Sequence, residues 1–159
     1  YGADLSACIV RALLQRVTEA TVKAVETDEI LGAIGPGLTV LVCTMDGDSE
    51  AEAEKLARKV ARIRIFDDPD GKMNLSVGDA DGSVLAISQF TLAADTRKGN
   101  RPSFSGGADF ETAERLYGKF VDALRAESVS VETGRFRTHM QVALVNDGPV
   151  TIWIDTAVV

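Results

Sequence analysis

Gly35-Pro36-Gly37-Leu38-Thr39-Val40-Leu41-Val42-Cys43, residues 35–43, joins a turn signal to a short apolar run. Glycine and proline punctuate the chain, and the apolar stretch behind them suits a central strand. The period then changes. Ser49-Glu50-Ala51-Glu52 has the serine and glutamate of a capping box, with Ser49 as N-cap and Glu52 reaching back. Ala53, Leu56, Ala57, Val60 and Ala61 recur at helical spacing, which predicts an amphipathic helix ending near Arg62.

On the upstream side, residues 10–22 alternate as a strand, with Leu13 and Val17 on one face, and residues 25–34 suit a hairpin partner. On the downstream side, Ile63 and Ile65 alternate with Arg62 and Arg64, and Asp70-Gly71 marks a turn within residues 67–72. Residues 84–90 form the next apolar strand. Gly106-Gly107 opens a loop and Asp109 caps a second helix, whose buried stripe is Phe110, Ala113, Leu116, Tyr117, Phe120, Val121 and Leu124. Residues 129–133, 140–146 and 150–155 read as further strands. The helices do not alternate strictly with the strands, which argues against a Rossmann-type parallel sheet. The expected class is α+β, with packed or barrel-like β-sheets and two main helices on one outer side.

The 159 residues are 45% apolar and 26% charged, the balance of one ordinary globular domain. That domain is expected at residues 10–159. Residues 1–9 lack a periodic pattern and read as an added leader. No apolar run is long enough to span a bilayer, and no signal peptide is evident, so a soluble protein is expected. Cys8 and Cys43 are the two cysteines, and Cys43 in its apolar strand reads as a small buried hydrophobe. A reducing cytoplasm fits this usage. The net charge of −7 excludes a protein that blankets nucleic acid, because phosphate binding needs clustered cations. Local contact is still open. Arg97-Lys98-Gly99-Asn100-Arg101 carries three positive charges in five residues, and serves equally well as a solvated loop.

His139 is the single histidine, which excludes a histidine metal cluster. No calcium, magnesium or phosphate-loop spacing occurs, so neither a metal nor a cofactor is expected. A serine triad would have to pair Ser88 or Ser103 with His139. Two other segments draw attention. Ser88-Gln89-Phe90-Thr91-Leu92 ends an apolar strand, and Asn146-Asp147-Gly148-Pro149-Val150-Thr151 has turn composition. Either could be only a strand end or a turn. A hydrolase with few catalytic side chains can still use oriented backbone N–H groups and a placed water.

Taken together the segments carry a specific likeness. The chain resembles the D-aminoacyl-tRNA deacylase family, also called D-tyrosyl-tRNA deacylase. The match runs through residues 11–17, 71–76, 88–92, 95–99, 101–104, 140–142 and 146–151, and covers essentially residues 10–155. Val10 falls where the family's initiating Met stands. Val25-Glu26-Thr27-Asp28-Glu29 replaces the more usual Asp-Gly hairpin turn, a departure confined to local geometry.

The resemblance implies hydrolysis of the ester between a D-amino acid and tRNA, as proofreading of translation. It implies a homodimer with active sites at the subunit interface, and tRNA as the partner. Gly148-Pro149 is implied to adopt a cis peptide and screen chirality in the partner's site. Glycine has no side chain to screen, so glycyl-tRNA should also be cleaved. Thr91 matches a position proposed as nucleophile. In the alternative, the terminal 2′-hydroxyl of the tRNA assists, Phe90 and Thr91 offer N–H groups to the oxyanion, and Gln89 positions substrate or water. Ser88 completes this catalytic segment. Met140, Gln141 and Asn146 are implied to bind substrate beside Gly148 and Pro149, while Arg97, Lys98 and Arg101 hold phosphates near the tRNA 3′ end. An RNA-end binding module without catalysis and a serine esterase are the competing classes.

Overall fold

The computed structural model describes residues 10–158, so the expected leader at residues 1–9 lies outside the described residues. In chain order the elements are β1 (Val10–Ala24), β2 (Ile30–Ile34), β3 (Gly37–Thr44), α1 (Glu50–Arg62), β4 (Phe66–Asp67), β5 (Met73–Leu75) and β6 (Ser83–Ser88). A 3-10 turn (Phe90–Ala93), α2 (Phe110–Ala126), β7 (Ser130–Thr133), β8 (Met140–Asp155) and a second 3-10 turn (Thr156–Val158) follow.

β1 organises the sheet. It pairs antiparallel with β8 along one edge, and with β3 and then β2 along the other. The order is β2-β1-β3-β6-β7, with β8 joined to β1. β3, β6 and β7 are parallel neighbours, and parallel pairing requires a crossover. α1 lies in the first crossover and α2 in the second. Both crossovers step the same way along the sheet, so their shared right-handed preference puts both helices on one face. The main core shows this: Ala53, Leu56 and Val60 of α1 and Phe120, Val121 and Leu124 of α2 pack with Leu14, Val40, Val84 and Ala86 of the strands. Leu56, Leu116 and Phe120 are fully buried, and truncating any one to alanine costs about 2–5 kcal/mol.

The run Val84-Leu85-Ala86-Ile87 is buried throughout, which fits a strand covered on both faces. Leu85 and Ile87 pack on the opposite side from the helices, against Val17, Ala20, Val22 and Ile34. The sheet must therefore curl so that β2 approaches its far end. A Cβ on Gly32 would stand 2.8 Å from the Thr133 carbonyl oxygen, so β2 nearly touches β7. This is the expected α+β architecture with a barrel-like sheet, nearly closed, and two helices outside it.

Several local expectations are corrected. Ser49 does occupy the N-cap of α1, but its side chain makes no capping hydrogen bond. Residues 63–65 are irregular, because the strand behind them is only Phe66–Asp67. The hairpin partner begins at Ile30, later than residue 25. Phe110 belongs to α2 but is exposed, since the first turn of the helix overhangs the core. Residues 140–146 and 150–155 are not separate strands, because β8 runs unbroken through both.

Candidate active site

β6 pairs with β3 as far as Ser88, opposite Val42, and the Gln89 N–H donates to the Val42 carbonyl at 2.8 Å. The chain then winds into the 3-10 turn, so residues 88–90 are a strand end followed by a turn, not strand throughout. The Leu92 N–H donates to the Gln89 carbonyl at 3.2 Å, starting the bonds internal to the turn. The Phe90 and Thr91 amides come before it, where the helical pattern supplies no acceptor. The turn is anchored through its carbonyls. Arg11 Nη1 donates to the Leu92 carbonyl at 3.0 Å, and the Cys43 thiol stands 3.6 Å from the Phe90 carbonyl.

Beside this turn opens a cavity of about 660 Å³. Cys43, Thr44 and Ile87 line it from the sheet, Ser88, Gln89 and Phe90 from the end of β6, and Phe110 and Ala113 from the start of α2. Residues 135–140 form the remaining wall. Phe90 and Phe104 meet edge to face, with centroids 5.4 Å apart at 65°. Phe90, Phe104 and Phe110 all remain exposed, which gives the cavity aromatic surface of the kind on which unstacked nucleotide bases pack. Asp109 is occupied as the cap of α2, accepting from the Thr112 N–H at 2.8 Å and hydroxyl at 3.1 Å. Those bonds hold its carboxyl below the usual range. Burial pushes the Cys43 thiol up to about 11, so it stays a neutral packing group at physiological pH, as its strand context suggested.

The hydroxyl chemistry is sparse. Gln89 Nε2 donates to the Thr91 hydroxyl oxygen, and an amide donor cannot take a proton from it. Ser88 and His139 line the same cavity. Among the described residues, however, no hydrogen bond joins His139 to Ser88, Ser103 or Thr91. The Ser103 hydroxyl instead meets that of Ser105 at 3.3 Å. Also among the described residues, no group of three or more His, Cys, Asp or Glu side chains is placed to hold a metal ion.

The second segment is built differently. On β1, Gln15 faces Thr151 and Val17 faces Asn146, so residues 147–150 stand opposite Arg16 alone. This is a large bulge within a continuous strand, where turn composition had suggested a connection between two. Asn146 closes its base with its side chain: Oδ1 accepts from the Val150 N–H at 2.9 Å and Nδ2 donates to the Thr151 hydroxyl at 3.0 Å. Arg16, 8% exposed, holds the underside. It donates to the Asp147 carbonyl at 3.0 Å and the Ile65 carbonyl at 2.8 Å, with the Asp67 and Asp147 carboxylates at 3.5 and 3.7 Å. Carbonyl partners and nearby negative charge make a buried guanidinium tolerable. Gly148 has φ +135°, and a Cβ there would lie 2.7 Å from Val150 Cγ2, so glycine is required. The Gly148–Pro149 peptide is cis, and both residues are exposed.

Ser88, Gln89, Phe90 and Met140 thus line one cavity, with Thr91 next to it on the turn. Gln141, Asn146, Gly148 and Pro149 lie along β8 and do not line that cavity. Arg97, Lys98 and Arg101 sit on an exposed loop closed by paired backbone bonds between Asp95 and Ser103, at 2.7 and 2.9 Å. Arg97 is bound to the Asp95 carboxylate by contacts of 2.9 and 2.6 Å, and holds that carboxyl down at about 2. Sequence reading missed the wall at residues 135–139. Arg135-Phe136-Arg137 has two cations around an aromatic, a charge density close to that of residues 97–101, and could have been flagged on that ground.

Comparison with known proteins agrees with this geometry. Residues 13–155 match the family model described as D-Tyr-tRNA(Tyr) deacylase. The chain is 60% identical over 148 residues to a D-aminoacyl-tRNA deacylase of Paracoccus denitrificans (strain Pd 1222), covering 93% of this chain and 98% of that one. It is 57% identical to a D-aminoacyl-tRNA deacylase of Ruegeria pomeroyi (strain ATCC 700808 / DSM 15171 / DSS-3), covering 92% and 99%. A solved structure described as c-Myc DNA Unwinding Element Binding Protein superposes with a TM-score of 0.83 at 38% identity, covering 91% of this chain and 97% of that one. Another, described as a probable eukaryotic D-amino acid tRNA deacylase, gives 0.79 at 18% identity over 92% and 99%, a likeness of fold. The protein is a hydrolase. More narrowly, the chain belongs to the D-Tyr-tRNA(Tyr) deacylase family.

Proposed function

We propose that this enzyme hydrolyses the ester of D-aminoacyl-tRNA, releasing tRNA and free amino acid, with Gly148-Pro149 as a gate that excludes L-aminoacyl-tRNA. The observation that carries the reading is the segment Ser88–Phe90 at the wall of an aromatic cavity, in a chain of this family. The terminal nucleoside enters the cavity, which leaves the ester carbonyl beside the 3-10 turn. Water adds to that carbonyl carbon, the bond to the ribose oxygen breaks, and the proton released from water ends on that oxygen. Phe90 and Thr91 N–H groups stabilise the oxyanion, and Gln89 holds Thr91 and the attacking water. The 2′-hydroxyl of the tRNA assists the proton transfer. Thr91 is not the nucleophile in this scheme, because its hydroxyl accepts from an amide and, among the described residues, bonds to no base.

The gate acts from a second copy of the chain. Gly148 and Pro149 stand exposed on their bulge and do not line their own cavity, which is what a homodimer with composite sites needs. Val142, Val145 and Trp153 on the same strand are exposed apolar side chains that such an interface would cover. Arg97, Lys98 and Arg101 take the phosphates of the tRNA, and the reaction proceeds in the cytoplasm without metal or cofactor. A steric gate cannot reject a substrate that has no side chain, so glycyl-tRNA is cleaved as well. The test is hydrolysis of matched D-, L- and glycyl-tRNA by the purified protein. D and glycyl substrates should be cleaved and the L substrate spared. Equal rates on D and L would end the proofreading reading, and glycyl-tRNA as inert as the L substrate would end the steric account of the gate.

A further inference from the structure

Arg137 holds a left-handed backbone conformation, φ +56°, which residues with side chains adopt rarely and at a cost. Its neighbours explain what is gained. The Arg137 guanidinium lies over the Phe110 ring, 4.3 Å from its centroid, and both residues line the cavity beside the 3-10 turn. The nearby arginines are spoken for: Arg135 in the same wall pairs with Glu29 at 3.1 Å, Arg11 holds the Leu92 carbonyl at 3.0 Å, and Arg97 on its loop pairs with Asp95. Among the described residues Arg137 has no carboxylate partner, and Asp109 nearby is committed to capping α2. A guanidinium stacked on an aromatic keeps its N–H edge available and its plane fixed, the arrangement that suits a phosphate oxygen pair.

Resting on the deacylase reading, we infer that Arg137 binds the phosphodiester that links the terminal nucleoside of the tRNA to the rest of the chain. It is a substrate-binding residue outside the two segments, supplied by the same copy that forms the cavity. Phe110 fixes the guanidinium at the mouth, and the left-handed backbone at residue 137 turns the side chain onto that ring. The contact anchors the polynucleotide while the ester reaches the 3-10 turn, so it should act on binding and not on the chemical step.

The test compares D-aminoacyl-tRNA with D-aminoacyl-adenosine, which has the ester and nucleoside but no phosphodiester. Arg137→Gln should raise KM for the tRNA about ten-fold with kcat nearly unchanged, and lower the slope of log KM against log salt by about 0.7, the loss of one phosphate contact to a single strand. Hydrolysis of the adenosine ester should not change. Arg137→Gly suits the left-handed backbone and guards against misfolding, and it should show the same split between substrates. An unchanged KM for tRNA, or an equal loss on both substrates, overturns the phosphate role. A wild-type protein inactive on D-aminoacyl-tRNA would instead overturn the underlying deacylase reading, which separates the two failures.

Discussion

Residues 88–92 and 146–151 both leave regular strand geometry, but they do it in opposite ways. The first ends β6 and coils into a 3-10 turn whose leading amides lack helical acceptors. The second never ends β8. It swells into a bulge opposite Arg16 and then resumes pairing at Thr151. The ending strand opens a cavity, while the continuing strand presents two exposed residues that do not line it. Terminating a strand leaves leading amides without helical acceptors, and interrupting one yields a protrusion with paired strand on both sides. The proposed division of labour follows: the first region does chemistry through its backbone, and the second selects by its shape.

The comparison breaks most readily at Gly148. Alanine there must displace Val150 or the Arg16 side chain, since the added Cβ would meet them at 2.7 and 3.2 Å. Displacing the gate by about 1 Å should also misplace the amino acid held against it, so turnover of D-aminoacyl-tRNA should fall about a hundred-fold. Circular dichroism should remain close to wild type, while melting should fall by a few degrees, the cost of alanine at this φ. If Gly148→Ala keeps full activity, the protrusion has no part in the site.

Arg16→Met should act on stability. It strands the buried Ile65 carbonyl and removes the part-buried bond to the Asp147 carbonyl, and urea unfolding should register a loss of about 2 kcal/mol. The value is modest because the Asp67 and Asp147 carboxylates are half exposed and solvent takes over part of their interaction. A variant of unchanged stability would mean that the bulge holds its form without the arginine.

Thr91→Ala sharpens the first region. With the backbone as oxyanion donor, single-turnover deacylation should fall by no more than about five-fold, far less than loss of a nucleophile. A drop of several orders of magnitude would restore the threonine to the centre of the mechanism. The smallest effect is expected at Cys43. With its thiol raised to about 11, thiolate is scarce at neutral pH and grows only as pH climbs toward that value. Mass spectrometry after iodoacetamide at pH 7 should find Cys43 unmodified, and rapid labelling would show that the turn above it opens.

Much of this was legible in the residues, and the gaps have physical causes. The period change from Leu38–Cys43 to Ala53–Ala61 marked a strand and then a helix, and both helices fell where their apolar stripes put them. Residues 150–155 were legible as strand but not as the continuation of residues 140–146. Asn146-Asp147-Gly148-Pro149 has the composition of a turn, and only the pairing of β1 on both sides of Arg16 identifies it as a bulge. The cavity wall at Arg135-Phe136-Arg137 was missed because it is loop without periodicity, and its role depends on Phe110, distant in sequence. Phe110 was itself misread as buried because helical spacing assigns a face and does not report where the core stops.

The central claim is that the cavity of one copy works with the bulge of another. Co-expressing a Gly148→Ala chain with an Ala113→Trp chain, whose indole fills the cavity, allows the mixed dimer to be isolated through distinct tags. Each homodimer should be inactive on D-aminoacyl-tRNA. The mixed dimer retains one intact cavity facing one intact gate, so it should recover about half the activity of the wild-type dimer. A mixed dimer as inactive as its parents, or a wild-type enzyme fully active as a monomer, would contradict the account.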